Sequence, residues 1–206
     1  MAGDKQFEQA NLDATVLLKE LDAASAKINS SFLARCDAVL LQWSIKAGLV
    51  LGFETGSGFV IRRLGEGRWS APLFVSATAM RVGAIAGVEK VATVALSLTR
   101  DLTEQLQEGR SPQLGADISL RLGTAVEADG ESFSLPIDDV DLLTYSVAVG
   151  SIVDVSLKGG ALSADAAKNV ACYGEGVTSR AILSGSVAPP PQLQPLYSRL
   201  SELASN

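Results

Sequence analysis

From Lys46 to Pro72 the chain reads KAGLVLGFETGSGFVIRRLGEGRWSAP, and this run constrains the fold more than any other. Leu49, Leu51 and Phe53 alternate with a period of two, which is the spacing of side chains along a strand. Gly56 and Gly58 then bracket Ser57, Phe59-Val60-Ile61 resumes the apolar run, and Gly65-Glu66-Gly67 breaks it again. The run is read as two strands around a glycine-rich turn, a second tight turn, and a Trp69-Ser70-Ala71-Pro72 entry to a third strand. It commits the chain to an antiparallel, tightly turned sheet before it says anything about chemistry.

The rest follows in order. Phe7, Ala10, Ala14, Leu17, Leu21, Ala24 and Ile28 recur at spacings of three and four, so residues 4–29 are read as a helix with an a/d seam. That seam fits a helix packed on its own domain or on a partner helix; a membrane-surface helix is the other reading. Asn29-Ser30-Ser31 caps a short helix near Phe32. The sheet is expected to begin around Trp43. Leu73–Val75 and Ala79–Val88 follow as strand, and Val91–Leu98, apolar on both faces, reads as a central strand. Residues 101–106 form a short helix. Gly115–Leu122 alternates as a half-exposed strand, and residues 123–144 are a loop or short hairpin turning at Asp129-Gly130. Tyr145–Lys158 alternates again. Helices are expected over 164–172, 179–183 and, after the Pro189-Pro190-Pro191 spacer, 192–204, with Leu193, Leu196, Leu200 and Leu203 on one side.

Composition removes whole classes of function. The 206 residues hold no histidine, which excludes Ser-His-Asp and Cys-His nucleophile pairs and most zinc and copper sites. A net charge of −6 argues against nucleic-acid binding, which needs a basic face. Cys36 and Cys172 read as buried free thiols in a reducing compartment. No stretch offers the ~20 apolar residues of a bilayer span. A cytoplasmic protein is expected, meeting a membrane only peripherally. Gly52-Phe53-Glu54-Thr55-Gly56-Ser57-Gly58 lacks the Lys-Ser/Thr and the following helix of a phosphate loop, so it is read as a hairpin turn. Asp138-Asp139-Val140-Asp141 lacks the glycine and terminal glutamate of a calcium loop and is read as solvated. No catalytic residue, cofactor or metal site is expected. Residues 31–70 nonetheless carry a local basic surplus in Arg35, Lys46, Arg62, Arg63 and Arg68. Those cations are either scattered solvating charges or a cluster for an anionic head group.

Several short motifs then fall in a recognisable order. They are Lys46-Ala47-Gly48, Gly56-Ser57-Gly58, Trp69-Ser70-Ala71-Pro72, the glycines from Gly83 to Gly87, and Leu114-Gly115-Ala116-Asp117. After them come Tyr145-Ser146 with Gly150, Ser156-Leu157 with Gly159, Tyr173-Gly174, Ile182-Leu183-Ser184-Gly185, and the proline run through Tyr197. In order and spacing, from about Phe32 to Leu200, the chain resembles the SYLF domain family.

The resemblance implies a non-catalytic, peripheral lipid-binding module of phosphoinositide type, linked to membrane traffic, endocytosis and actin organisation. Lys46, Arg62, Arg63 and Arg68 would then take lipid phosphates. Three features separate the chain from the family pattern. Its first helix is net acidic, Tyr145-Ser146-Val147-Ala148-Val149-Gly150 lacks the family's basic residues, and Ile85 replaces a glutamine. The alternative is a divergent scaffolding subunit that binds protein partners through the N-terminal seam or the Leu193-Leu196-Leu200 face. The expected architecture is a single α+β domain. A curved antiparallel sheet or partial barrel is covered by helices from both chain ends, with residues 1–30 as the amphipathic helix and 31–206 as the SYLF-like domain.

Overall fold

The computed structural model describes residues 2–24, 28–48, 51–65, 67–82, 87–122, 140–148, 151–152 and 160–205. Helices α1 (Ala2–Ala23) and α2 (Ser30–Arg35) precede strands β1 (Ala38–Gly48), β2 (Leu51–Gly65), β3 (Arg68–Trp69), β4 (Leu73–Val82) and β5 (Gly87–Ser97). Helix α3 (Asp101–Gln107) leads to β6 (Leu120–Leu122), β7 (Leu142–Ala148), β8 (Ser151–Ile152) and β9 (Gly160–Ala164). Helices α4 (Ala166–Tyr173), α5 (Ser179–Leu183) and α6 (Gln194–Ser205) close the chain. Strand order is β6-β7-β5-β1-β2-β4-β9, antiparallel except between β6 and β7. Beyond β9 the ladder continues, with Leu162 N–H donating to Pro112 O (3.0 Å) and Leu114 N–H to Gly160 O (2.8 Å). Leu114 in turn bridges to Ile118. The sheet curls far round on itself, as the α+β expectation of a curved sheet or partial barrel requires.

Its two faces hold separate cores. Val39, Leu41, Phe59, Ile61, Phe74, Val94, Leu96 and Tyr145 pack outward against α1, α2 and α6. Leu40, Val60, Leu73, Val75, Val91, Leu142 and Leu162 pack inward with Leu102, Leu106, Ile182 and Leu183. Because residues 38–42 of β1, 91–97 of β5 and the whole of β7 are buried on both faces, their apolar runs carry no alternation. For that reason β1 starts at Ala38, earlier than the Trp43 reading, and β7 starts at Leu142, inside the segment read as loop. Gly115–Leu122 is also corrected: Gly115 N–H turns back onto Ile118 O (2.6 Å), and only Leu120–Leu122 is strand. Val91–Leu98 is central as expected, between β1 and β7. The Asp129-Gly130 turn lies outside the described residues.

The reading of Gly56-Ser57-Gly58 as a turn is overturned. Strand β2 runs straight through it, with Gly56 opposite Ser44 and Gly58 opposite Gln42. A Cβ on Gly58 would collide with Leu41 O and stand 2.9 Å from Gln42 Cα; one on Gly56 would meet Gln42 Nε2 at 2.7 Å. Glycine is needed there for close strand approach rather than for turning. The Gln42 side chain fills the space, on an inner rung it shares with Thr93 and Ser146, whose hydroxyls are 2.9 Å apart. The second turn is as read: Gly65 and Gly67 have φ of 88° and 72°.

The seam of α1 faces its own domain. Phe7, Ala10, Ala14, Leu17 and Leu21 are buried in the outer core, so the seam is not a free docking surface for a partner. Each buried leucine there is worth about 1.5–3 kcal/mol. Leu193, Leu196 and Leu200 are likewise buried, and the C-terminal leucine face is no docking surface either. Two tyrosines tie the C-terminal helices to the sheet entry. Tyr173 Oη donates to Pro72 O (2.6 Å) and Tyr197 Oη to Ser70 O (3.0 Å). Burial pushes both phenols upward.

Candidate functional site

The four cations singled out in the sequence do not assemble. Arg62 lies opposite Ala38 at the start of β1, whereas Lys46 lies opposite Glu54 near its end. Eight strand positions separate the two levels, roughly 27 Å. Only the backbone of Lys46 is described. Arg62 Nε is 3.2 Å from Asp37 Oδ1, and the same carboxylate takes a hydrogen bond from Thr103 Oγ1 at 2.6 Å. Arg63 points the other way, as adjacent strand residues must. Its Nη2 donates to Leu33 O (2.6 Å), serving a carbonyl in the last turn of α2, and its guanidinium lies 4.9 Å from the centroid of the Trp69 ring. Both arginines therefore have partners within the fold. Arg68 differs: it is exposed and makes no ion pair among the described residues. It borders a cleft of about 260 Å³ with Leu64, Trp69, Pro189 and Tyr197.

A larger concavity lies between α1 and the sheet. Leu12, Asp13, Val16 and Glu20 form its helical wall; Trp43, Ile45, Thr55, Ser57, Lys90 and Ala92 are among the sheet residues facing it, and it encloses about 840 Å³. Four large apolar side chains stand exposed among the described residues, and three of them, Leu12 (56%), Val16 (45%) and Ile45 (44%), line this groove. Leu12 and Val16 sit one turn apart on α1, beside the buried seam rather than in it. Half-buried Trp43 continues the apolar floor, its ring 6.2 Å from that of Phe59 in the core. Sequence reading missed this site because the seam drew the apolar signal to the other side of α1. The trace was there in Leu12 and Val16, both off the a/d positions.

The groove combines exposed apolar side chains with a few charged ones. Its charged members, Asp13, Glu20 and Lys90, sit on its rim with no nucleophile-base pair between them. Among the described residues, no three His, Cys, Asp or Glu side chains are placed to hold a metal ion. The two cysteines are free. Cys36 is buried, which pushes its thiol up to about 11 against the pull of Arg63; Cys172 is half-buried rather than buried as expected. No helix of the described residues is long and apolar enough to cross a membrane.

Comparison with known proteins gives one consistent answer. The family model described as "Ysc84: Las17-binding protein actin regulator" matches residues 78–203. LAS seventeen-binding protein 3 of Saccharomyces cerevisiae is 30% identical over 186 residues, covering 89% of this chain and 40% of that protein. An SH3 domain-containing protein of Schizosaccharomyces pombe is also 30% identical over 186 residues, with 89% and 43% covered. SH3 domain-containing YSC84-like protein 1 of Bos taurus is 27% identical over 171 residues, with 82% and 50% covered. The chain thus spans between about two fifths and one half of these relatives.

Proposed function

Since the chain belongs to the Ysc84 family of Las17-binding actin regulators, the family of the SYLF resemblance, we propose that it is a non-catalytic interaction module acting in actin regulation through protein contacts. The groove between α1 and the sheet is its contact face. One observation carries this reading: of the four large apolar side chains exposed among the described residues, three converge on that single concavity. Apolar anchors in a walled groove are what a partner segment buries most profitably. The cytoplasm, where actin filaments are, is the compartment expected. Co-sedimentation with actin filaments and binding to immobilised Las17 test the proposal. The wild-type chain is expected to bind at least one of them, and Ile45→Asp or Leu12→Asp to weaken that binding about tenfold. Failure of the wild type with both, or undiminished binding by both variants, overturns it.

Contact with anionic lipid is the second reading. Arg68 favours it, being an exposed arginine with no ion pair among the described residues. The reading rests on Arg68, with Lys46 as a separate contact at the far end of β1, and treats Arg62 and Arg63 as supports of the strand between them. It expects salt-sensitive binding to phosphoinositide vesicles that falls with Arg68→Ala. Absence of binding at low ionic strength, where attraction is strongest, overturns it.

A further inference from the structure

We propose that the groove is also a self-association face, in which a second copy of this chain seats its own α1 against the sheet floor of the first. The inference rests on the reading of the groove as a contact face and adds how that face is occupied in the chain alone.

Two features of the groove point to a copy of itself. A two-fold contact requires a patch that is complementary to itself, each element of one subunit meeting a different element of the other. Here the apolar groups divide between the walls in that manner. Leu12 and Val16 project from the helical wall, while Ile45 and Trp43 lie on the strand floor. A helix carrying an exposed Leu12/Val16 pair is the kind of occupant that an Ile45/Trp43 floor accepts, and the same α1 supplies both wall and occupant. The charged groups of the groove divide the same way, with Asp13 and Glu20 on the helix and Lys90 on the sheet. Glu20 stands on the helix and Lys90 on β5, opposite Ile45 in the strand register. Both are exposed, and neither makes an ion pair among the described residues. A two-fold axis through the groove brings Glu20 of each copy to Lys90 of the other, so the same ion pair forms twice. Self-association through this face covers the partner-binding groove, and partner binding therefore competes with it.

Sedimentation velocity on the full chain, up to about 100 μM to reach a weak dimer, tests the proposal. The weight-average mass is expected to rise toward twice the monomer, and Ile45→Asp to hold it at the monomer with thermal midpoint and far-UV spectrum unchanged. Glu20→Lys and Lys90→Glu, each alone, place like charges across both rims and are expected to weaken the dimer about tenfold. Mixing those two variants restores attraction at both rims and is expected to give a mixed dimer. A chain monomeric throughout the range, a dimer indifferent to Ile45→Asp, or a mixture no better associated than its components overturns the proposal. A monomer that binds filaments or Las17 in an Ile45-dependent way removes self-association and leaves the contact face. A groove-mediated dimer that binds neither keeps self-association and removes the proposed function.

Discussion

Gly3 on α1 rests against the backbone of Cys172 on α4: a Cβ built on Gly3 would stand 3.1 Å from the Cys172 carbonyl oxygen and 3.2 Å from its Cα. The first turn of the chain is thereby joined to a helix near its end. Gln192 Nε2, donating to Asp4 Oδ1 at 3.0 Å, and Phe7, 5.5 Å from Tyr173 between ring centroids, reinforce the joint.

Because the neighbour at Gly3 is backbone and cannot swing aside, Gly3→Val is expected to cost about 1–3 kcal/mol. The loss should concentrate in α1. Hydrogen exchange is the measurement, with faster exchange of α1 amides while β1 and β5 keep their protection.

The glycines of β2 should differ sharply in tolerance. Gly58→Ala drives a methyl into Leu41 O and is expected to cost about 3 kcal/mol. Gly56→Ala meets first the free end of the Gln42 side chain and should cost about 1 kcal/mol. Denaturant unfolding of the two variants checks the ranking.

Arg62 is expected to act on stability. Asp37→Ala removes the acceptor of Arg62 Nε and Thr103 Oγ1 and should cost about 1–3 kcal/mol, since those donors are left without it. Arg62→Ala should lower the unfolding midpoint and leave filament, Las17 and vesicle binding unchanged. Titrations of that variant at a temperature where it is folded decide the matter.

Asp141 makes stability fall in acid. Burial works to raise its carboxyl, but hydrogen bonds from the Ser119 N–H and from the hydroxyls of Thr99 and Ser119 overcome it and hold the group below its ordinary value. A carboxyl lowered in the folded state contributes stability in full above the unfolded value near ~3.9, and loses it as pH falls through the lower folded value. Unfolding measured from pH 6 downward should show this loss, about, for example, pH 4 and below, and Asp141→Asn should flatten that part of the profile.

The two thiols should react in order. Burial raises both, but Cys36 is buried at the C-terminal end of α2 while Cys172 is half-buried. A disulfide-exchange reagent at neutral pH should consume Cys172 first and reach Cys36 only on unfolding.

These residues also show how far the sequence could be read. The seam of α1 was legible because its period matches a helix, and the central place of Val91–Leu98 because an unbroken apolar run needs cover on both sides. Gly56 and Gly58 were misread because nothing local distinguishes a glycine that turns a chain from one that lets two strands approach. The roles of Arg62 and Arg63 were hidden for another reason. Their partners Asp37 and Leu33 lie far back along the chain, and only the pairing of β1 with β2 brings them close. The groove was hidden likewise, being made by α1 and strands that no local pattern places side by side.

The position of β9 has a consequence for synthesis. β4 is complete at Val82, yet the hydrogen bonds on its outer edge come from late in the chain: β9 pairs Ala164 with Val75, and Asp165 and Asn169 bond the backbone of Phe74. Until the ribosome has delivered that later strand, the nascent chain holds a long strand with an open edge, the kind of surface on which chains aggregate. A fragment ending before Gly160 should therefore precipitate or recruit chaperones, whereas the full chain seals itself late, by a pairing distant in sequence and correspondingly slow.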